Sequence, residues 1–175
     1  MKKTVLALLA SLILAAPACA APLPGGDSEL PVDVTANTME YNSDKNTVVF
    51  TGNVESVRGE FKMWSDQLTL ILKDKNSSEG KKSSAVKNAA GDVDRVIAEK
   101  NVRFKNGTQH GTAQKATYMA DKNILVLEGD PVLQDGENSI RGNVIRYFIN
   151  ENRSVVEGSP QKRVHAVFSN DKKGK

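Results

Sequence analysis

The chain has 175 residues, with 24 basic and 21 acidic side chains, 39% hydrophobic and 5% aromatic content, and a single cysteine. A net charge of +3 spread over this length is no footprint for nucleic acid, and one cysteine excludes a disulfide within the chain. The length suffices for one domain with a sizeable core.

Residues 1–20 form a targeting pattern: Lys2 and Lys3, an apolar run over 5–16, then Ala18-Cys19-Ala20. This predicts a secretory signal peptide, to be left out of fold reasoning. Its apolar run is too short to span a bilayer. Position 16, where a lipoprotein signal needs a Leu-like residue, is Ala16, followed by Pro17. Cleavage after Ala20 removes Cys19, Lys2 and Lys3, leaving 22 basic against 21 acidic residues.

Residues 21–29 are a Pro/Gly-containing leader. Residues 30–35 alternate Leu30, Val32 and Val34 with Pro31, Asp33 and Thr35, the period of a half-buried strand; Pro31 suggests a sheet edge. A frame then begins that returns three times. Ala36, Tyr41, Asp44-Lys45-Asn46, Val48-Val49-Phe50 and Gly52 match Ala113, Tyr118, Asp121-Lys122-Asn123, residues 124–127 and Gly129. They also match Gly142, Tyr147, Asn150-Glu151-Asn152, Val155-Val156 and Gly158. A less regular copy starts at Ser65, with Leu70 for the tyrosine and Lys100 for the closing glycine. Ala36 to Ser65 and Ala113 to Gly142 are each 29 positions; Ser65 to Ala113 is 48, longer by 19. Residues 73–91 (KDKNSSEGKKSSAVKNAAG) are 19 long and rich in Lys, Ser, Asn and Gly. They read as a mobile loop inserted into the second of four two-strand units.

Between units, Asn106-Gly107 and Asp135-Gly136 are hairpin signals. No window holds a helical period. Residues 163–169 make the last strand, and 170–175 a charged tail. By parity, Met39/Tyr41, Leu68/Leu70/Leu72, Ala116/Tyr118 and Ile145/Tyr147/Ile149 share the drier face, which should point inward; Val102 and Phe104 alternate with Arg103 and Lys105 in the same sense. In the closing strand of each unit both parities are apolar, and parity alone leaves the inward face open. Val49, Ile97, Val126 and Val155 occupy equivalent positions and are all β-branched, which predicts four paired core positions.

Little in the chain suggests an enzyme. His110 and His165 have no neighbours at metal-ligand spacing, no phosphate-binding glycine loop is present, and the carboxylates fall in turns and at outward positions. No catalytic residue, metal site or cofactor is expected. Three sequon triplets, at Asn76, Asn106 and Asn152, lie in turns. Tyr41, Tyr118 and Tyr147 could form an aromatic ladder for a sugar, although core packing accounts for them more simply.

The ordered set FTGNV at 50–54, RG at 58–59, DRVIAEKNV at 94–102, GTAQKATY at 111–118, LEGDP at 127–131 and IRGNVIRY at 140–147 resembles the OstA-like domain family of periplasmic lipopolysaccharide-transport proteins. The similarity spans about residues 30–168. The resemblance implies an all-β fold over residues 30–169: an open, V-shaped antiparallel β-jelly roll of repeated two-strand units. It implies a protein that binds lipopolysaccharide by its lipid A acyl chains and bridges inner and outer membranes. The partners implied are lipopolysaccharide, further copies of the chain, and the inner-membrane anchored and outer-membrane barrel components of the transport machinery; nucleic acid is not among them. The resemblance and the dry parity together give a candidate groove of Val32, Val34, Tyr41, Leu70, Val102, Phe104, Tyr118 and Tyr147. The first and last strands offer candidate assembly edges at Leu30, Val32, Val34, Val164, Ala166 and Phe168. Two other readings stay open: a membrane-anchored partner of the same pathway, which would keep its N-terminal span, and a secreted β-repeat sugar binder or adhesin, which would display outward aromatics.

Overall fold

The computed structural model describes residues 32–73, 93–151 and 153–169. The expected signal segment, leader and charged tail lie outside these residues, as do Leu30, Pro31 and residues 74–91 of the polar loop. Twelve strands are present among the described residues: β1 (Asp33–Thr35), β2 (Thr38–Asn42), β3 (Thr47–Arg58), β4 (Phe61–Leu72), β5 (Val93–Asn106), β6 (Gln109–Met119), β7 (Ile124–Glu128), β8 (Val132–Asp135), β9 (Asn138–Arg141), β10 (Val144–Phe148), β11 (Arg153–Glu157) and β12 (His165–Val167). The one helical element there is a 3-10 turn, Ile149–Glu151. All pairings are antiparallel and all twelve strands belong to one sheet, which does not close on itself.

The sheet divides into two arms along a line of kinks. In the upper arm the order is β2-β3-β4-β5-β6-β7-β10-β11; in the lower arm it is β1-β3-β4-β5-β6-β8-β9-β12. The long strands β3 to β6 run through both. Their register slips at the line, between Thr51 and Val54, Trp64 and Gln67, and Glu99 and Val102. The bulges in β3 and β5 hold consecutive left-handed residues, Gly52-Asn53 (φ 82°, 47°) and Lys100-Asn101 (64°, 52°), and the same pair recurs at Gly129-Asp130 (76°, 59°), where β7 gives way to β8. Such β-bulges bend and twist a strand. The 29-residue repeat thus acquires a physical meaning: each of the first three units is one hairpin of the upper arm followed by one of the lower, with the chain crossing the kink line between them, and the fourth is the hairpin β10–β11 followed by β12.

Different turns close the two sets of hairpins. In the lower arm, Gly59-Glu60, Gly107-Thr108 and Gly136-Glu137 are two-residue loops with the glycine at φ 56–58°. Glycine first in a two-residue loop is the pattern of a type II′ turn, whose twist matches that of the flanking strands. In the upper arm, Asn46 (φ 48°) and Asn123 (φ 53°) take the left-handed position, and their carbonyls accept from Leu72 N–H at 2.8 Å and Ile149 N–H at 3.0 Å. Each upper turn is thereby stitched to the following unit.

The core fills the angle between the arms. Leu68, Ala98, Ala116, Leu125, Leu127, Ile145 and Tyr147 of the upper arm form one buried cluster with Val54, Val102, Phe104 and Ala113 of the lower arm. The expected interior placement of Val49, Ile97, Val126 and Val155 is corrected here. All four are paired, in a continuous cross-strand row Val49–Thr69–Ile97–Thr117–Val126–Arg146–Val155, but the row lies on the outer face and its members are half-buried. Their neighbours one position away point inward instead. The outermost strands are also shorter than expected: three residues are described in β1 and three in β12.

Candidate groove between the two arms

Two inward rows run across the upper arm. One is Met39–Phe50–Leu68–Ala98–Ala116–Leu127–Ile145–Val156 and the other Tyr41–Val48–Leu70–Val96–Tyr118–Leu125–Tyr147–Ser154. The second row contains four candidate groove residues, Tyr41, Leu70, Tyr118 and Tyr147, on alternate strands with Val48, Val96 and Leu125 between them. The lower arm contributes the row Val34–Ser56–Met63–Phe104–Gly111–Leu133–Ile140–Ala166, which carries Val34 and Phe104; Val102 lies on the same face, paired with Ala113. The Phe104 ring lies 6.4 Å from that of Phe61. A Cβ on Gly111 would come within 2.4 Å of the Phe104 ring, so the missing side chain is what admits the phenyl group.

The candidates differ in exposure according to their strand. Val102 (1%), Phe104 (5%) and Tyr147 (7%) are packed into the core, whereas Tyr41 (41%) and Val32 (45%) are exposed. Val32 precedes β1, and Tyr41 lies on β2, beyond which no described strand pairs. Exposed apolar residues gather at both ends of the sheet: Val32, Met39 and Tyr41 at one, Val164, Val167 and Phe168 at the other. Of the candidate edge residues, Leu30 lies outside the described residues, and Val34 and Ala166 sit on terminal strands with one partner each. The upper arm has its own terminal strands, β2 and β11, which alternation did not single out.

The mouth of the angle is polar. Tyr118 Oη donates to Asn123 Oδ1 at 2.7 Å, and Asn123 Nδ2 donates to Asn150 Oδ1 at 2.6 Å. Burial raises the Tyr118 phenol above its ordinary value, and the charge of Arg58 on the opposite arm partly offsets the rise. Burial likewise raises Tyr147. Arg58 entered the sequence reading only within the pair RG at 58–59 and was not among the candidate groove residues. The alternation Val54, Ser56, Arg58 ending at Gly59 was the available signal that it faces inward. At the kink, Asp66, Asn101, Arg103, Thr112 and Gln114 line a cleft together with Val102 and Ala113, and Asn101 Nδ2 donates to Asp66 at 2.8 Å.

A dry-faced, unclosed sheet of repeated hairpins has counterparts among known proteins. A family model described as LptA/(LptD N-terminal domain) LPS transport protein matches residues 33–153. The chain belongs to this family. The lipopolysaccharide export system protein LptA of Escherichia coli (strain K12) is 26% identical over 162 residues, covering 90% of this chain and 83% of that protein. LptA of Shigella flexneri matches to the same extent. Among solved structures, LptH from Pseudomonas aeruginosa superposes with a TM-score of 0.64 at 17% identity, over 82% of this chain and 99% of that one. That structure is described as the LptA-homologous periplasmic component of the lipopolysaccharide transport device. The fold is the open antiparallel β-jelly roll of this family.

Proposed function

We propose that this protein carries lipopolysaccharide through the periplasm, holding the lipid A acyl chains between its two arms while the sugars stay in water. The observation that carries this reading is the inward face itself: eight strands of each arm turn apolar side chains into one angle whose lips are polar and whose sheet never closes. Each methylene kept from water is worth ~0.8 kcal/mol, so an acyl chain of about a dozen carbons costs on the order of 10 kcal/mol to carry bare. Phe104, Val102 and Tyr147 are packed against protein in this structure, so the chains enter by parting the arms at their mouth. The family's role is transport, and the chain's part in it is to shield and pass on a lipid, with no chemical step.

The test is photo-crosslinking. A photoreactive residue at Phe104 or Tyr118 should capture lipopolysaccharide, whereas one at Lys105 or Lys115, on the outward parity, should not. Equal yields at both parities would sink the assignment.

The ends of the sheet supply the bridge. Exposed apolar side chains lie at both ends of the sheet, where each terminal strand pairs on one side among the described residues, and the two ends differ in sequence, so an end-to-end contact is heterologous and propagates instead of closing. Copies of the chain then extend one groove, with the inner-membrane anchored and outer-membrane barrel components joining at its ends. Light scattering should find concentration-dependent oligomers of the intact protein, lost on truncation after Gln161. An intact protein that stays monomeric at all concentrations would remove this part of the reading.

A further inference from the structure

Arg58 is the one basic residue at an inward ladder position of the twelve described strands. The other cations at paired strand positions lie on the outer parity: Lys62 opposite Lys105, Arg95 opposite Met119, Arg103 opposite Trp64, Lys115 opposite Glu99, Arg141 opposite Val132, Arg146 opposite Val126 and Arg153 opposite Phe148. Outward placement is what the cost of desolvating a charge predicts. Arg58 breaks the pattern on β3, where the inward positions before it, Val54 and Ser56, are buried. Its partner across the hairpin is Phe61, which packs on the core beside Phe104. Arg58 also directly precedes the Gly59-Glu60 turn, so it stands at the lower lip and not in the depth of the angle. It is half-buried. Across the mouth its charge reaches the Tyr118 hydroxyl, which is hydrogen-bonded through Asn123 to Asn150 at the upper lip.

We propose that Arg58 is a specificity-determining residue of the groove, pairing with a phosphate on the head of an acylated sugar whose chains lie between the arms. This rests on the lipid-carrying reading above and assigns it a headgroup contact. The chemistry follows from the position. An amphiphile with its chains inside has its first polar groups level with the lips. A guanidinium matches phosphate oxygens with two parallel N–H···O bonds, and a setting half removed from water strengthens them. Arg58 also takes part in interactions within the protein, so a phosphate would compete with those and loosen the mouth as it binds.

Three probes test this on the full mature protein: lipid A bearing its phosphates, the same lipid A with the phosphates removed, and inorganic phosphate. The wild type should bind the phosphorylated lipid about tenfold more tightly than the stripped one, the scale of one charge-assisted pair. Arg58→Gln should abolish the preference by weakening only the phosphorylated lipid, Arg58→Lys should keep part of it, and Lys62→Gln should leave it intact. Inorganic phosphate should not displace bound lipid. A preference that survives Arg58→Gln, or an equal loss for both lipids, overturns the proposal while leaving the lipid-carrying reading in place. If the wild type captures neither lipid, that reading falls and this one with it. Displacement of the lipid by millimolar phosphate would identify free phosphate as the ligand and also overturn it.

Discussion

The two faces of the upper arm differ by a single residue along each strand. On the inner side Leu68, Ala98, Leu127 and Ile145 are all but sealed, at 1–2% exposure. On the outer side the row Val49–Ile97–Val126–Val155 is as regular in sequence and more uniformly β-branched, yet only half-buried. The lesson is that repetition and burial are separate signals. A β-branched residue recurs on the outer row because it suits a pleated, partly covered surface, and because neighbouring strands place Thr69, Thr117 and Arg146 beside it. Arg146 on this row forms an ion pair with Glu157 on the neighbouring strand, two residues beyond Val155. The inner row recurs because it is the core.

The largest expected effect tests this contrast directly. Ile145→Asp would place a carboxylate in a site of 1% exposure, at a cost of several kcal/mol, and the protein should fail to melt as a single cooperative unit. Val126→Asp, on the outer row of the neighbouring strand, should cost only about 1 kcal/mol, since its carboxylate reaches water and lies opposite Arg146. Thermal melts of the two variants measure the difference. Comparable losses would mean that the outer row is covered in solution by something the described residues do not include.

The inward face of Met39/Tyr41, Leu68/Leu70, Ala116/Tyr118 and Ile145/Tyr147 was legible because the opposing parity is polar there: Thr38 and Glu40, Gln67 and Thr69, Lys115 and Thr117, Arg146. The closing strands were not, because Val48-Val49-Phe50 and residues 124–127 are apolar at every position, and alternation has nothing to alternate. What decides them is register: Val49 pairs with Thr69 and Phe50 with Leu68, so the known face of β4 fixes that of β3. The repeat period was legible, but its cause was not. Glycines 52 and 129 looked like strand stops, whereas they are bends within one kinked sheet. Tyr41 was placed on the correct face, yet it stays exposed because β2 ends the sheet, a fact of topology that spacing cannot carry.

The kink line sharpens the comparison at the boundary between the arms. A Cβ on Gly129 would approach Gln114 Cβ to 2.5 Å, on a backbone at φ 76°. Gly129→Ala should therefore destabilise by about 1–3 kcal/mol through strain and displacement of the β6 chain. Denaturant titration reads this, and a neutral result would show the bend to be slack. Lys100 makes the opposite case. It stands where the first and third units have glycine and holds φ 64°, a conformation costing an L-residue roughly 1–2 kcal/mol. Lys100→Gly should relieve that strain, less the extra freedom glycine gains when unfolded, for a net gain of up to about 1 kcal/mol. A loss of stability would mean that the lysine side chain secures the second kink.

The smallest effect returns to the inner face, at its wet margin. Burial raises the phenols of Tyr118 and Tyr147 above their ordinary value near 10 in the folded protein. A raised folded pKa means that the folded state favours the neutral phenol. That contribution to stability is complete below the unfolded value and is lost as pH climbs through the folded one. Melting temperature should therefore hold level through neutral and mildly alkaline pH and decline above about 10. Tyr147→Phe should flatten part of that decline, because a residue with no proton to lose contributes no alkaline slope. Arg58→Gln should act the other way at Tyr118, since the arginine's charge now holds that phenol down. Without it the phenol rises further, and its ionisation costs the folded state more. Absorbance at the phenolate band, recorded against pH for both variants, separates the two tyrosines. If Arg58→Gln leaves the titration of Tyr118 unmoved, the charge does not reach across the mouth, and the lips of the groove stand farther apart than their facing rows imply.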